Sequence, residues 1–169
     1  MPMNAQTEPP ITEQEAAGIA ESLLGLWKAG GTLAQAMGLS AQECEAMYAY
    51  GHALYAQGKY DDAFKVFARL VAYDHMDSRY QLALACALQM TGRHEEALQH
   101  YMIVTVMRLD DPVPVFHCAE CLLALGRPAE AAESLVLVID TLCKAGEHDA
   151  IRARAEALLG ALRAKAPVQ

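Results

Sequence analysis

The sequence predicts an all-α fold: three helix-turn-helix hairpins stacked as a short right-handed solenoid, with an amphipathic helix before them and a capping helix after. Three observations carry that prediction. The heptads "GKYDDAF" from Gly58, "GRHEEAL" from Gly92 and "GRPAEAA" from Gly126 follow one another at an interval of 34 residues. Small and large residues around them recur at the same interval. The segments on either side space their apolar residues three and four apart, which is the period of a helix and not of a strand.

A 34-residue period is that of the tetratricopeptide hairpin, whose pattern runs W-x2-L-G-x2-Y, then A-x3-F, then P. Its small position holds Gly51, Ala85 and Ala119, and its large apolar position three residues later holds Leu54, Leu88 and Leu122. The alanine falls on Ala63, Ala97 and Ala131, and the bulky residue four further on is Phe67, Tyr101 or Leu135. The two ends of the pattern are degenerate: the tryptophan position reads Met47, Gln81 and Val115, and the proline position His75, Leu109 and Cys143. Glycine stands where the first helix of each pair must stop, because it adopts the left-handed conformation without a steric penalty. The acids Asp61, Asp62, Glu95, Glu96 and Glu130 then fall in the first turn of the second helix, where they complement its dipole.

Residues 1–10 are expected to form a frayed tail, and residues 11–39 an N-terminal helix and connector. That helix opens with the capping pair Thr12 and Glu15, aligns Ile19, Leu23, Leu26 and Trp27 on one face, and ends at Gly30 and Gly31. A second capping pair, Ser40 and Glu43, opens the hairpin array at 40–145, with repeats at 44–77, 78–111 and 112–145. Ile151, Ala155, Leu158, Leu159 and Leu162 form the apolar stripe of a capping helix over 146–164, followed by a tail at 165–169. Two runs disagree on propensity alone. "MIVTV" at 102–106 and "LVLVI" at 135–139 are rich in β-branched residues and read as strands. The 34-residue register places both in second helices, buried between neighbours and apolar all round.

With 169 residues and a net charge of −8, the chain lacks the clustered Lys and Arg of a nucleic-acid partner or a polybasic membrane patch. No apolar run approaches the length of a membrane span and the N-terminus has no signal-peptide pattern, so a cytoplasmic location is expected. The five cysteines, Cys44, Cys86, Cys118, Cys121 and Cys143, lie within apolar helical patterns and read as reduced packing residues. Cys118 and Cys121 form a single CxxC, short of the four ligands that a metal site needs. His117 and Cys118 are adjacent in a helix and do not face each other. There is no Walker loop and no GxSxG, and "HEEAL" at 94–98 lacks the second histidine of a zincin. An enzyme is not expected, nor is any cofactor or metal.

Stacked hairpins curve into a trough lined chiefly by their first helices. The inward positions are Tyr48, His52 and Tyr55, then Leu82, Cys86 and Gln89, then Phe116, Glu120 and Leu123. No later element covers them, so they are expected to form an open apolar face with polar groups at its rim, the signature of a partner site. A clamp for a C-terminal carboxylate would need Lys, Arg and Asn on this face, where Arg79 stands nearly alone.

Beyond the repeat pattern, "YGHALYAQGKYDDAFKVFARL", "YDHMDSRYQLALA" and "PVFHCAECLLALG" resemble the class II chaperones of bacterial type III secretion systems. The similarity spans about residues 40–140, and "DSRY" and "FHCAECLL" lie outside the repeat consensus. The resemblance implies a cytoplasmic chaperone that holds one or two hydrophobic, pore-forming translocator subunits unassembled until export. It implies that an extended segment near the translocator's N-terminus lies in the trough, with Tyr48 and Tyr55 as aromatic contacts and Tyr60, Phe67, Leu70 and Phe116 as neighbours. It also implies homodimerisation through the N-terminal helix, with Ile19, Leu23, Leu26 and Trp27 as candidates, and a regulatory protein as a further partner. His52 departs from the family, many of whose members carry an aromatic or apolar residue there. A chaperone or adaptor for a needle subunit or a regulator is the alternative reading.

Overall fold

A helix can stop sharply and turn back only if its last carbonyls find donors, and three glycines supply the geometry here. The computed structural model describes residues 12–143 and 148–165, without the side chains of Trp27 and Lys165. The expected tails, 1–10 and the residues beyond Lys165, lie outside the described residues. The chain divides into two units, Met1–Ser40 and Ala41–Gln169.

In the first unit α1 (Glu13–Lys28) begins at the expected capping pair: Thr12 N donates to Glu15 Oε2 at 2.8 Å and Glu15 N to Thr12 Oγ1 at 3.3 Å. Its end is closed by Gly31 N donating to Leu26 O at 2.8 Å, with Gly30 left-handed at φ 75°. A four-residue helix, α2 (Leu33–Ala36), follows from a second capping box between Thr32 and Gln35.

The second unit runs α3 (Ala41–Ala56), α4 (Tyr60–Tyr73), α5 (Ser78–Met90), α6 (His94–Met107), α7 (Pro112–Ala124) and α8 (Pro128–Leu137), each packed on the next. A π-helical turn over Val138–Leu142 leads toward α9 (Asp149–Lys165). The described residues contain helices and no strand. Gly58, Gly92 and Gly126 are left-handed, with φ of 75°, 77° and 72°. Behind each, the next residue's amide reaches back to the consensus leucine: Lys59 to Leu54 O, Arg93 to Leu88 O and Arg127 to Leu122 O, at 3.0, 2.9 and 2.9 Å. The same Arg93 and Arg127 then pair with Glu96 and Glu130 in the first turn of the following helix. One basic residue therefore both closes a helix and starts another.

The core is built from the repeat's small and large positions. Ala63, Ala85, Ala97, Ala119 and Ala131 have no exposed surface, and Phe67, Tyr101 and Leu135 are at most 1% exposed. At the C-terminal end Ala155 and Leu159 of α9 are buried against Leu135 and Val138, with Ile151, Leu158 and Leu162 packed beside them. Arg152 donates to the carbonyls of Ile139, at 2.7 Å, and Cys143, tying α9 to the π turn.

Two runs that read as strands are helical, but the expectation that they are buried all round is corrected. Met102, Ile103 and Val106 of α6 are 57%, 41% and 74% exposed. Val136 and Leu137 of α8 are also exposed, whereas Val138 is fully buried. A second helix in a two-layer array packs against first helices on one side only, and its outer flank faces solvent.

The degenerate consensus positions have their own chemistry. Gln81, in the tryptophan position and 3% exposed, donates from Nε2 to the carbonyl of His75, in the proline position, at 2.8 Å. Its Oε1 lies 2.7 Å from His100 Nδ1, which requires the proton on that nitrogen. Two polar residues bonded across the repeat junction replace an aromatic ring and a proline.

Two predictions follow from this packing. A Cβ at Gly51 would stand 2.5 Å from the Phe67 ring, which has no room to retreat. Glycine to alanine inside a helix normally gains about 1 kcal/mol, but overpacking costs about 1–3 kcal/mol, so the clash decides the sign. Gly51→Ala should lower the urea-unfolding free energy by about 1–2 kcal/mol at unchanged slope; an unchanged or raised midpoint contradicts the account. Burial pushes His100 below its ordinary 6.5, against the pull of Glu96 in the other direction. A depressed histidine takes up protons on unfolding, so its contribution to stability is complete above 6.5 and lost as pH falls through 6.5 toward the folded value. Chemical denaturation between pH 7.5 and 5.5 should show a smaller loss in His100→Gln than in the wild type; equal losses would remove His100 as the cause.

Candidate functional site

Side chains 34 residues apart fall in rows across the first helices, each row one position on successive hairpins. One row holds Tyr48, Leu82 and Phe116; a second His52, Cys86, Glu120 and, on α9, Arg154; a third Tyr55, Gln89 and Leu123. Contacts between residues 34 apart follow the same register. Arg79 Nη2 donates to Glu45 Oε1 at 2.7 Å and Arg154 Nη2 to Glu120 Oε1 at 3.1 Å, each across 34 residues.

The N-terminal half of this face is aromatic. Tyr48 meets His52 edge-on at 4.5 Å between ring centroids, lies 5.5 Å from Tyr80 and 6.1 Å from Phe67. His52 also contacts Phe67, at 5.3 Å, and Tyr55 meets Tyr60 edge-on at 5.1 Å. Tyr48, Tyr55 and Tyr60 are half-buried and His52 is exposed. Burial raises the phenol pKa of Tyr48 and of Tyr55, so both stay neutral and can donate a hydrogen bond. Leu82 is half-buried beside them.

The C-terminal half is polar. Tyr101 donates its one hydroxyl proton to Gln89 Oε1 at 2.7 Å, its oxygen lies 3.4 Å from Cys86 Sγ, and its ring stacks on His117 at 5.2 Å. Gln89 Nε2 and His117 Nδ1 both donate to Glu120 Oε2, at 3.0 and 2.8 Å. Burial alone would raise the Glu120 carboxyl, but the bonds from His117 and Gln89 and the charge of Arg154 outweigh it and hold the group below its ordinary range. Leu123 is half-buried at this end.

Not every residue expected on the open face lies there. Phe67, Leu70 and Phe116 are 1%, 0% and 2% exposed and belong to the core. The first two are on a second helix and point back into the hairpin. Phe116 holds a first-helix position, but the Arg154 guanidinium covers its ring, 4.5 Å from the centroid. Two residues that the repeat pattern did not single out complete the face, His117 and Arg154, and the buried Tyr80 and Tyr101 support it from beneath. Arg154 was legible as the residue 34 after Glu120, had α9 been read as another first helix.

Arg79 offers no carboxylate clamp. Its Nη2 bonds both Glu45 and Asp77 at 2.7 Å, and its Cζ stands 5.5 Å from the Tyr48 and Tyr80 rings. Cys118 and Cys121 are buried, with thiols pushed up to about 12 by burial, and so are protonated and unreactive. Among the described residues no group of three or more His, Cys, Asp or Glu is placed to hold a metal ion, and no helix is long and apolar enough to cross a membrane.

In the first unit Ile19 and Leu23 are 52% and 44% exposed and Leu26 is half-buried. The three line a shallow depression with Gln35 and Ala36. The side chain of Trp27 lies outside the described ones.

Comparison with known proteins places the chain. A family model described as anaphase-promoting complex, cyclosome, subunit 3 matches residues 13–102. Low calcium response locus protein H of Yersinia pestis is 36% identical over 138 residues, 82% of each chain. The Yersinia enterocolitica type III secretion translocator chaperone SycD, solved as an alternative dimer and with a peptide of the translocator YopD, superposes with TM-score 0.71. It is 35% identical over 76% of this chain and 98% of SycD. PcrH of Pseudomonas aeruginosa, bound to the chaperone binding region of PopD, gives 0.72 at 38% identity, covering 77% of this chain and 98% of PcrH.

Proposed function

This chain belongs to the tetratricopeptide translocator chaperones of type III secretion, and on that premise we propose that it holds a hydrophobic translocator subunit soluble and unassembled in the bacterial cytoplasm by clamping an extended segment on its first-helix face. The observation that carries the reading is the half-open aromatic surface of Tyr48, Tyr55 and Tyr60. Rigid rings, Tyr48 resting on Phe67 and Tyr80 and Tyr55 on Tyr60, apolar in body and polar at their tips, suit a chain that offers apolar side chains and backbone carbonyls. Relatives of the same fold, PcrH and SycD, are solved with the chaperone binding region of PopD and with a peptide of the translocator YopD.

The work required is capture, with no catalytic step. Ordering a disordered segment opposes binding by a few kcal/mol, which leaves the moderate affinity suited to a cargo that must be released. Of the residues read as contacts, Tyr48, His52, Tyr55, Tyr60, Leu82, Cys86, Gln89, Glu120 and Leu123 have surface to offer. Phe67, Leu70 and Phe116 are buried and have almost none, and Phe67 acts from behind, as the floor beneath Tyr48 and His52. We also propose that α1 pairs with a second copy through Ile19 and Leu23, since large aliphatic residues at that exposure on one helical face favour burial against a like surface.

A translocator should co-purify with the chain from the bacterial cytosol and be identified by mass spectrometry. In titration calorimetry with an N-terminal peptide of that translocator, Tyr48→Ala and Tyr55→Ala should each cost about 2 kcal/mol, roughly thirtyfold in affinity. Wild-type affinity in a folded double variant would sink the assignment of the face. Ile19→Asp with Leu23→Asp should move the chain from dimer to monomer in sedimentation equilibrium, and a persistent dimer places the contact elsewhere.

A further inference from the structure

The polar end of the face contains one guanidinium held in an unusual way. Arg154 occupies, on α9, the position that Glu120, Cys86 and His52 occupy on the three first helices before it. Its Nη2 donates to Glu120 Oε1 at 3.1 Å, and its Cζ lies 4.5 Å from the Phe116 ring centroid. The side chain is still 54% exposed. Arg79 gives both Asp77 and Glu45 a bond from one nitrogen, and its Nε bonds Asp77 as well. Glu120, by contrast, already accepts from Gln89 and His117, so Arg154 shares its carboxylate with two other donors.

A guanidinium has five N–H donors in a rigid plane. Here the plane is fixed by an ion pair on one edge and an aromatic ring beneath, so little freedom remains to be lost on contact with a ligand. The array turns that fixed group toward the face along which a bound segment would run. Resting on the reading of that face as a peptide site, we propose that Arg154 is a specificity-determining contact that donates to a carbonyl-type oxygen of the bound segment. The oxygen belongs to an Asp or Glu side chain or to the backbone.

The spacing follows from the fold. From α3 to α9 there are three steps between neighbouring first helices, each about 8–10 Å, or about 24–30 Å in all. Extended chain rises about 3.3 Å per residue, so the oxygen lies about eight residues from the side chain seated among Tyr48, His52 and Tyr55.

The test is selection of a displayed library of random peptides on the full-length chain and on Arg154→Ala, followed by calorimetry with the enriched peptides. Apolar residues should be enriched on both proteins and lost on Tyr48→Ala with Tyr55→Ala. On the wild type alone, Asp or Glu should be enriched about eight residues from the apolar anchor. Enriched peptides should bind R154A about tenfold more weakly, with R154K between the two. A tenfold loss with no preference for acids assigns the oxygen to the backbone. Peptides truncated before the Arg154 end should bind wild type and R154A alike, a result that a merely structural role for Arg154 would not produce; R154Q replaces R154A if alanine lowers the melting midpoint. Equal binding of full-length peptides to wild type and R154A overturns the contact and leaves the peptide site standing. No enrichment, or enrichment that survives loss of the tyrosines, overturns both.

Discussion

Close approach of two helices at a residue with almost no side chain is the constraint from which the rest follows. Gly51, Ala85 and Ala119 on the first helices, and Ala63, Ala97 and Ala131 on the second, are buried. Each hairpin can therefore close until Phe67, Tyr101 and Leu135 fill the space beside the contact. Left-handed glycines at 58, 92 and 126 return the chain at the same angle every time, with the same backbone bond to a leucine carbonyl. Identical turns and identical contacts oblige the hairpins to stack in register, so side chains 34 residues apart line up without any further instruction.

That alignment turns a local repeat into a surface. The first-helix rows collect Tyr48, His52 and Tyr55 at one end and Glu120 with Arg154 at the other, although no two neighbouring residues in the chain suggest a site. The second helices are packed on one flank only, and their outer surface carries the exposed Met102, Val106 and Leu137. The ion pairs Glu45–Arg79 and Glu120–Arg154 span successive hairpins on the inner face. Being partly exposed, such pairs add little stability, but they orient the side chains that a ligand meets.

How much was legible in the sequence depended on whether a residue's role was set by its own position or by a distant neighbour. The glycines, the small and large consensus positions and the acids at helix starts act within one hairpin, and the 34-residue interval exposes them. "MIVTV" was legible as helix for the same reason, yet its exposure was not, because burial depends on which flank of a two-layer array the residue occupies. Tyr48, Tyr55 and Glu120 could be placed on the inner face by register alone. The burial of Phe116 could not, since its core includes Ala155 and Leu159 of α9 and its ring lies under a guanidinium 38 positions later in the chain. Gln81 and His75 looked like failures of the consensus because the pattern records side chains one by one, while their function is a bond between them.

A trough that is apolar at one end and polar at the other answers a problem specific to hydrophobic cargo. A uniformly apolar trough would bind any exposed apolar segment, in either direction and at any offset, because dispersion and desolvation have no direction. Hydrogen bonds have direction and a fixed distance. Gln89, Glu120, His117 and Arg154 are locked together at one end, so on the proposed reading the remaining donors of the fixed Arg154 guanidinium meet an oxygen of the segment in only one register relative to the tyrosines. On that proposal affinity comes from the aromatic half and selectivity from the polar half. A chain that must hold sticky clients without holding everything sticky needs that division.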